Sequence, residues 1–188
     1  MKEEIIEELI NITKANLNAA MAFENISLEQ IQRKPAPEKW SIVECIEHLN
    51  VYSDFYHPEI KKRIQNAQEF KQDQELKSSW LGKKFTKMMR LDYSNKNNPV
   101  TKPMNAMKSM NPALFAKDLN HDVIKKFIQD QKDMLDILNN CRNYNLNKIK
   151  TSISISKIIK LRLVDTLKVV IYHNERHILQ ANRASTQA

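Results

Sequence analysis

An all-α fold, a four-helix bundle, is the class this sequence predicts, and three observations predict it. Gly82 is the only glycine in 188 residues, where ordinary usage gives about a dozen. Four long segments repeat apolar residues at helical spacing. One long irregular stretch parts the second of these from the third, which gives the bundle a long crossover. The glycine count also excludes. Neither a Gly-x-Gly-x-x-Gly dinucleotide loop nor a phosphate-cradling loop can be written with one glycine. Hairpins that need Gly at positive φ have almost no supply, which disfavours β-sandwiches and doubly wound sheets.

The first helix is expected over residues 3 to 26, where Ile6, Leu9, Ile10, Thr13, Leu17, Ala20 and Phe23 share a face. Pro35-Ala36-Pro37 ends that pattern and reads as a linker. Ser41 is a natural N-cap, and Glu44 three residues on completes a capping box for the second helix. Val43, Ile46, Leu49, Tyr52 and Phe55 give it an apolar face, and Pro58 is expected to kink or interrupt it.

Leu76, Trp80, Leu81, Phe85, Met88 and Met89 predict a short helix, and residues 95 to 112 read as a loop that covers a pocket. A third long helix starts at Asn120 or Asp122 and carries Val123, Ile124, Phe127, Ile128, Met134, Leu135 and Leu138. Thr151 to Ser156 alternates Ile with Ser or Thr and reads as briefly extended. The last helix is expected from Arg162 to Asn182. Residues 1 to 188 read as one helical-bundle domain.

The cysteines, Cys45 and Cys141, have no zinc-ligand spacing and are expected to stay thiols. The amphipathic, acidic start does not resemble a signal peptide, and no apolar run reaches the length of a membrane span. A cytoplasmic location without membrane contact is the expectation. The net charge of +8 hints at anionic partners. Its basic residues are scattered, however, with no Lys/Arg stripe interleaved with aromatics, so nucleic acid is disfavoured as a partner.

Of five histidines, His173 and His177 lie four apart on a strongly periodic helix. Four residues turn a helix by about 400°, so both rings leave one face about a turn apart. Such a pair can hold one metal ion. His48 lies on the apolar face of the second helix, either as a buried neutral histidine or as a third ligand. Three imidazoles from two packed helices would hold a divalent transition ion with positions open to water or substrate. His57 lies nine residues past His48 and points off that face, and His121 reads as a cap or surface residue.

Neighbours of the candidate ligands have two readings each. Glu44 could orient an imidazole or serve the capping box. Gln180, three residues past His177, could accept from a ligand's free N–H. Tyr52 could donate to a substrate or be a core tyrosine. Cys45 reads as a small buried hydrophobe. Arg176 and Arg183 could bind an anionic substrate or pair with surface acids.

Trp40-Ser41-x-x-Glu44-x-x-x-His48-Leu49 and His173-Asn174-Glu175-Arg176-His177-x-x-Gln180 resemble the two helical signatures of the DinB/YfiT-like superfamily of bacterial metal-binding four-helix bundles. Asn174 departs from the pattern, where an acidic residue is common. The resemblance implies a metal site at His48, His173 and His177, with Zn or Ni as the ion. It implies a metal-dependent enzyme that activates a low-molecular-weight bacterial thiol or water, for S-transfer or hydrolysis of a small-molecule substrate. Its alternative is a non-catalytic binding or stress-response module with a structural or vestigial metal site. The resemblance also implies a homodimer, with the contact expected from the first and last long helices or from the apolar residues of the Trp80 to Met89 segment, where Met88 and Met89 are excessive for a solvent face.

Overall fold

The computed structural model describes residues 1–94, 99 and 106–187. Most of the 95 to 112 segment therefore lies outside the described residues. Seven α-helices and one hairpin make up the described chain: α1 Lys2–Phe23, α2 Leu28–Gln32, α3 Ile42–Gln65, α4 Trp80–Met89, α5 Pro112–Phe115, α6 His121–Cys141 and α7 Leu163–Gln187, with β1 Lys150–Ile153 and β2 Ser156–Arg162 between α6 and α7. The four long helices form the bundle, in the circular order α1, α6, α3, α7.

Each start follows from local chemistry. Ser41 Oγ accepts from the Glu44 N–H while Glu44 returns a bond to the Ser41 N–H, so α3 opens on the expected capping box. Asn120 caps α6 through the Asp122 N–H. Contrary to expectation, Pro58 does not interrupt α3, which continues to Gln65. The core packing of Ile60 and Ile64 beyond it outweighs one lost backbone bond. The extended reading of residues 151 to 156 covers only β1 and the turn. Its partner β2 pairs antiparallel across Ser154-Ile155, with a bulge beside Ile153. The hairpin is closed without glycine and without positive φ.

Two apolar clusters fill the bundle. One joins Ile6, Leu9 and Ile10 of α1 to Tyr56, Ile60 and Ile64 of α3, Met134 and Leu138 of α6, and Leu163 and Leu167 of α7. The other joins Ala20 and Phe23 to Ile42, Ile46 and Leu49, Ile124 and Phe127, and Ile178 and Ala181. Early α1 and early α7 thus share an end with late α3 and late α6. The neighbours α3 and α6 run parallel, so the chain must travel the length of the bundle between them. Residues 66 to 120 make that crossover.

Between the clusters runs a polar layer to which every long helix contributes. Thr13 and Asn16 come from α1, Asn50 and Ser53 from α3, Gln131 from α6, and His173 and Asn174 from α7, all buried. Asn174 Nδ2 donates to Gln131 Oε1 at 3.5 Å.

The crossover is pinned to the bundle at several points. Buried Lys2 donates through Nζ to the carbonyls of Gln72 and Arg142. Ser79 caps α4 and donates from both its N–H and its hydroxyl to Asp165 Oδ2, at 3.0 and 2.9 Å. Asp165 is wholly buried in the first turn of α7. The only glycine of the chain sits here for lack of space: a Cβ on Gly82 would lie 2.0 Å from Asp165 Cγ. Met89 packs inward from α4 against the first of the two apolar clusters and against Ile153, Leu161 and Val169, while Met88 and Trp80 are exposed.

Gly82→Ala tests this contact. Alanine gains about 1 kcal/mol of helix propensity, but the displaced carboxylate must give up Ser79. A net loss of about 1–3 kcal/mol is expected in urea unfolding. An unchanged or raised midpoint would show that the close approach is dispensable.

Candidate metal centre

The polar layer opens on one side into a cluster of three imidazoles. His48 reaches it from α3, one and a half turns past the capping box. His173 and His177 reach it from α7, a turn apart. Their ring centroids lie 5.1 Å apart for His48 and His173, and 4.6 Å apart for His177 and each of the others. Among the described residues these three form the group of metal-binding type, each offering a ring nitrogen, all within 4.8 Å of one another.

Hydrogen bonds at the outer nitrogens decide which atoms face inward. His48 Nδ1 is 2.5 Å from the Met110 carbonyl, so it carries the proton and donates. His177 Nδ1 donates to Gln180 Oε1 at 3.0 Å. The Nε2 lone pairs of both rings are thereby left bare. His48 Nε2 faces His173 Nε2 at 3.2 Å. Two nitrogens bound to one tetrahedral ion at about 2.0–2.1 Å would stand about 3.3 Å apart. The donor set therefore fits a divalent transition ion: three neutral imidazoles, two tautomers fixed from behind, and inward spacing near the coordination value.

Removal from water keeps the rings neutral. It lowers the pKa of His48 to about 4, against the opposing pull of the Met110 carbonyl. It lowers that of His177 to about 3, helped by His48. His173 lies well below its ordinary value, through burial and then its two histidine neighbours.

Trp40 packs on His48 and His177, at centroid distances of 4.9 and 5.7 Å. Tyr52 packs on His173 and His48, at 4.5 and 4.9 Å. Burial raises the Tyr52 phenol to about 12, so it remains a donor at neutral pH.

Of the sequence candidates, Gln180 contacts a ligand ring and Tyr52 stacks on two. Glu44 does not serve an imidazole. Its Oε2 accepts from the Ser41 N–H at 2.8 Å and its Oε1 pairs with Lys34 at 2.7 Å, so helix capping takes one oxygen and an ion pair the other. Cys45 is fully buried in the upper cluster, and burial pushes its thiol up, as a small hydrophobe's would be. Arg183 Nη2 donates to the Pro99 carbonyl at 2.7 Å. Arg176 is buried. His121 donates from Nε2 to the Ile26 carbonyl at 2.9 Å. His57 lies off the cluster, as its spacing requires, but is buried.

Two participants escaped sequence reasoning. The Met110 carbonyl is a backbone group in a 3-10 turn, Lys108–Met110, and carries no side-chain signal. Trp40 belongs to the quoted motif, but only the packing gives it a place.

Fold and site together define a class: a helical bundle whose mid-level histidine triad could hold a metal ion. The family model of the DinB superfamily matches residues 11–181, and the chain belongs to that superfamily. No curated protein and no solved structure matches the chain. No helix among the described residues is long and apolar enough to cross a membrane.

The buried histidines make the metal-free fold sensitive to acid. Their folded pKa values lie below the unfolded value of about 6.5. Unfolding takes up protons in that window, so stability present above pH 6.5 is lost as pH falls toward 4. His57, lowered to about 4 chiefly by burial, should alone cost about 2 kcal/mol at pH 5. Urea unfolding of metal-free protein at pH 7.5 and 5.0 should show at least that loss. His57→Leu should shrink it, and an unchanged loss in that variant would contradict the account.

Proposed function

We propose that this chain is a metal-dependent enzyme. His48, His173 and His177 hold a divalent ion, zinc or nickel, and a small-molecule substrate reacts beside it. The observation that carries this reading is the convergence of three neutral imidazoles, two of which already have their outer nitrogens engaged. Such an ion supplies Lewis acidity that keeps a thiol or water deprotonated near neutral pH. S-transfer from a low-molecular-weight thiol and hydrolysis are the two reactions this supports.

The protein's own part is placement. Met110 and Gln180 fix the tautomers of His48 and His177. Trp40 and Tyr52 hold the rings in position and limit access of water. His173 also lines a cavity, which favours an enzyme over a module with a closed structural ion. A homodimer is proposed with it, through the face of α4 that exposes Trp80 (77%) and Met88 (39%).

His177→Ala separates catalysis from folding. Two apolar clusters hold the bundle without a metal, so the variant should keep its far-ultraviolet circular dichroism and most of its melting temperature. Its zinc affinity should fall at least about a hundredfold, and Gln180→Ala should weaken it about ten- to a hundredfold. Any thiol-transfer or hydrolytic activity should vanish with the ion. An unfolded His177→Ala would make the ion structural. A folded variant with native zinc affinity would refute the ligand set.

A further inference from the structure

A cavity of about 60 Å³ lies against His173, on the side away from the polar layer. Tyr52 and Tyr56 of α3 and Val169 and Val170 of α7 form its floor. Phe85 and Met89 of α4 close one side. Ile153 and Leu161 of the hairpin close the other. Among the described residues no lysine, arginine, aspartate or glutamate lines it. Tyr56 is engaged by the hairpin turn, its oxygen accepting from the Ser154 N–H at 3.2 Å.

Both walls are fixed by consecutive residues of α7. Asp165 holds the start of α4 through Ser79. Thr166 holds the hairpin through a hydroxyl pair with Thr151 at 2.6 Å. Each bond is buried or half-buried, and Gly82 lets α4 approach closely enough for the first. The cavity is therefore built into the fold.

We propose that this cavity is the substrate subsite of the centre, and that it takes a short, uncharged aliphatic group whose reacting end lies at His173. The proposal rests on the reading of the triad as a catalytic metal site. Size sets the length of the group. An apolar cavity that admits benzene measures about 150 Å³, and one water's share of liquid is about 30 Å³, so the group has about two to four carbon atoms. Chemistry sets its charge. An ion brought between Phe85, Val169 and Leu161 would meet no opposite charge among the described residues and would lose most of its hydration.

Methyl NMR tests this on the full chain, metal-free and zinc-loaded. The probes are 1-propanethiol and 2-aminoethanethiol, which share a thiol and differ in charge. In the zinc form, 1-propanethiol should shift the methyls of Ile153, Leu161 and Val169, at least tenfold more tightly than 2-aminoethanethiol. Val169→Phe should weaken 1-propanethiol at least tenfold and leave zinc affinity within twofold. Leu161→Phe serves the same purpose should that variant misfold. Shifts with 1-propanethiol in metal-free protein, without a gain on adding zinc, would uphold the cavity and defeat the metal reading. Equal affinity for the two thiols, or no shift at these methyls in either form, would overturn the proposal.

Discussion

Three imidazoles held in the middle of an apolar bundle are the constraint on which the rest of the structure depends. A neutral imidazole has one nitrogen that donates and one that accepts, and a buried ring must satisfy both or lose free energy. Here the outer nitrogens of His48 and His177 are satisfied by Met110 and Gln180. The inner ones converge. The His48 Nε2 lone pair faces His173 Nε2 at 3.2 Å, where it accepts the proton of a neutral His173 or shares a cation with it, and burial opposes a further, charged proton. The same need for polar partners divides the core. Asn16, Asn50, Ser53 and Gln131 occupy the level of the triad, and the apolar clusters lie to either side.

Topology then ties the site to the crossover. Because α3 and α6 run parallel as neighbours, residues 66 to 120 must pass from one end of the bundle to the other. Two parts of that passage reach the triad and its cavity: Lys108–Met110 orients His48, and α4 walls the cavity. A long connection that bundle geometry requires thereby also supplies part of the surroundings of the histidines. Its anchor at Asp165 explains the composition with which the sequence stands out. Glycine is absent where helices need only pack through side chains, and present at the one place where a helix backbone meets a buried carboxylate.

What was legible in the sequence was what repeats or is local. Helical periodicity marked the four long helices, and Ser41 with Glu44 marked the start of α3. The i,i+4 spacing of His173 and His177 put them on one face, and Gln180 followed three residues on. What stayed hidden depends on contacts distant in sequence. The strand β2 reads Ser-Lys-Ile-Ile-Lys-Leu-Arg, without alternation, because Ile158 and Ile159 are exposed and only Leu161 is buried. Pro58 looked like a break because the packing that carries α3 past it comes from other helices. Glu44 had two local readings, and Lys34, ten residues upstream, decided between them.

Asn174 shows how the two kinds of information combine. Its place about 100° around the helix from His173 takes it off the ligand face, so the sequence alone sets no constraint on its identity. In the structure it is buried, and it faces the neutral amide of Gln131. Asn16, also neutral, belongs to the same layer. A carboxylate at 174 would need a cation or several donors in that layer, and the amides there supply dipoles instead. Asparagine thus meets Gln131 through one long hydrogen bond, and that contact has a consequence for the site. Rotation of α7 that swings His173 and His177 away from His48 also pulls Asn174 from Gln131. The amide pair behind the triad and the imidazoles in front of it select the same rotation of α7. The histidines are therefore held in convergence by the bundle itself, before any ion is bound.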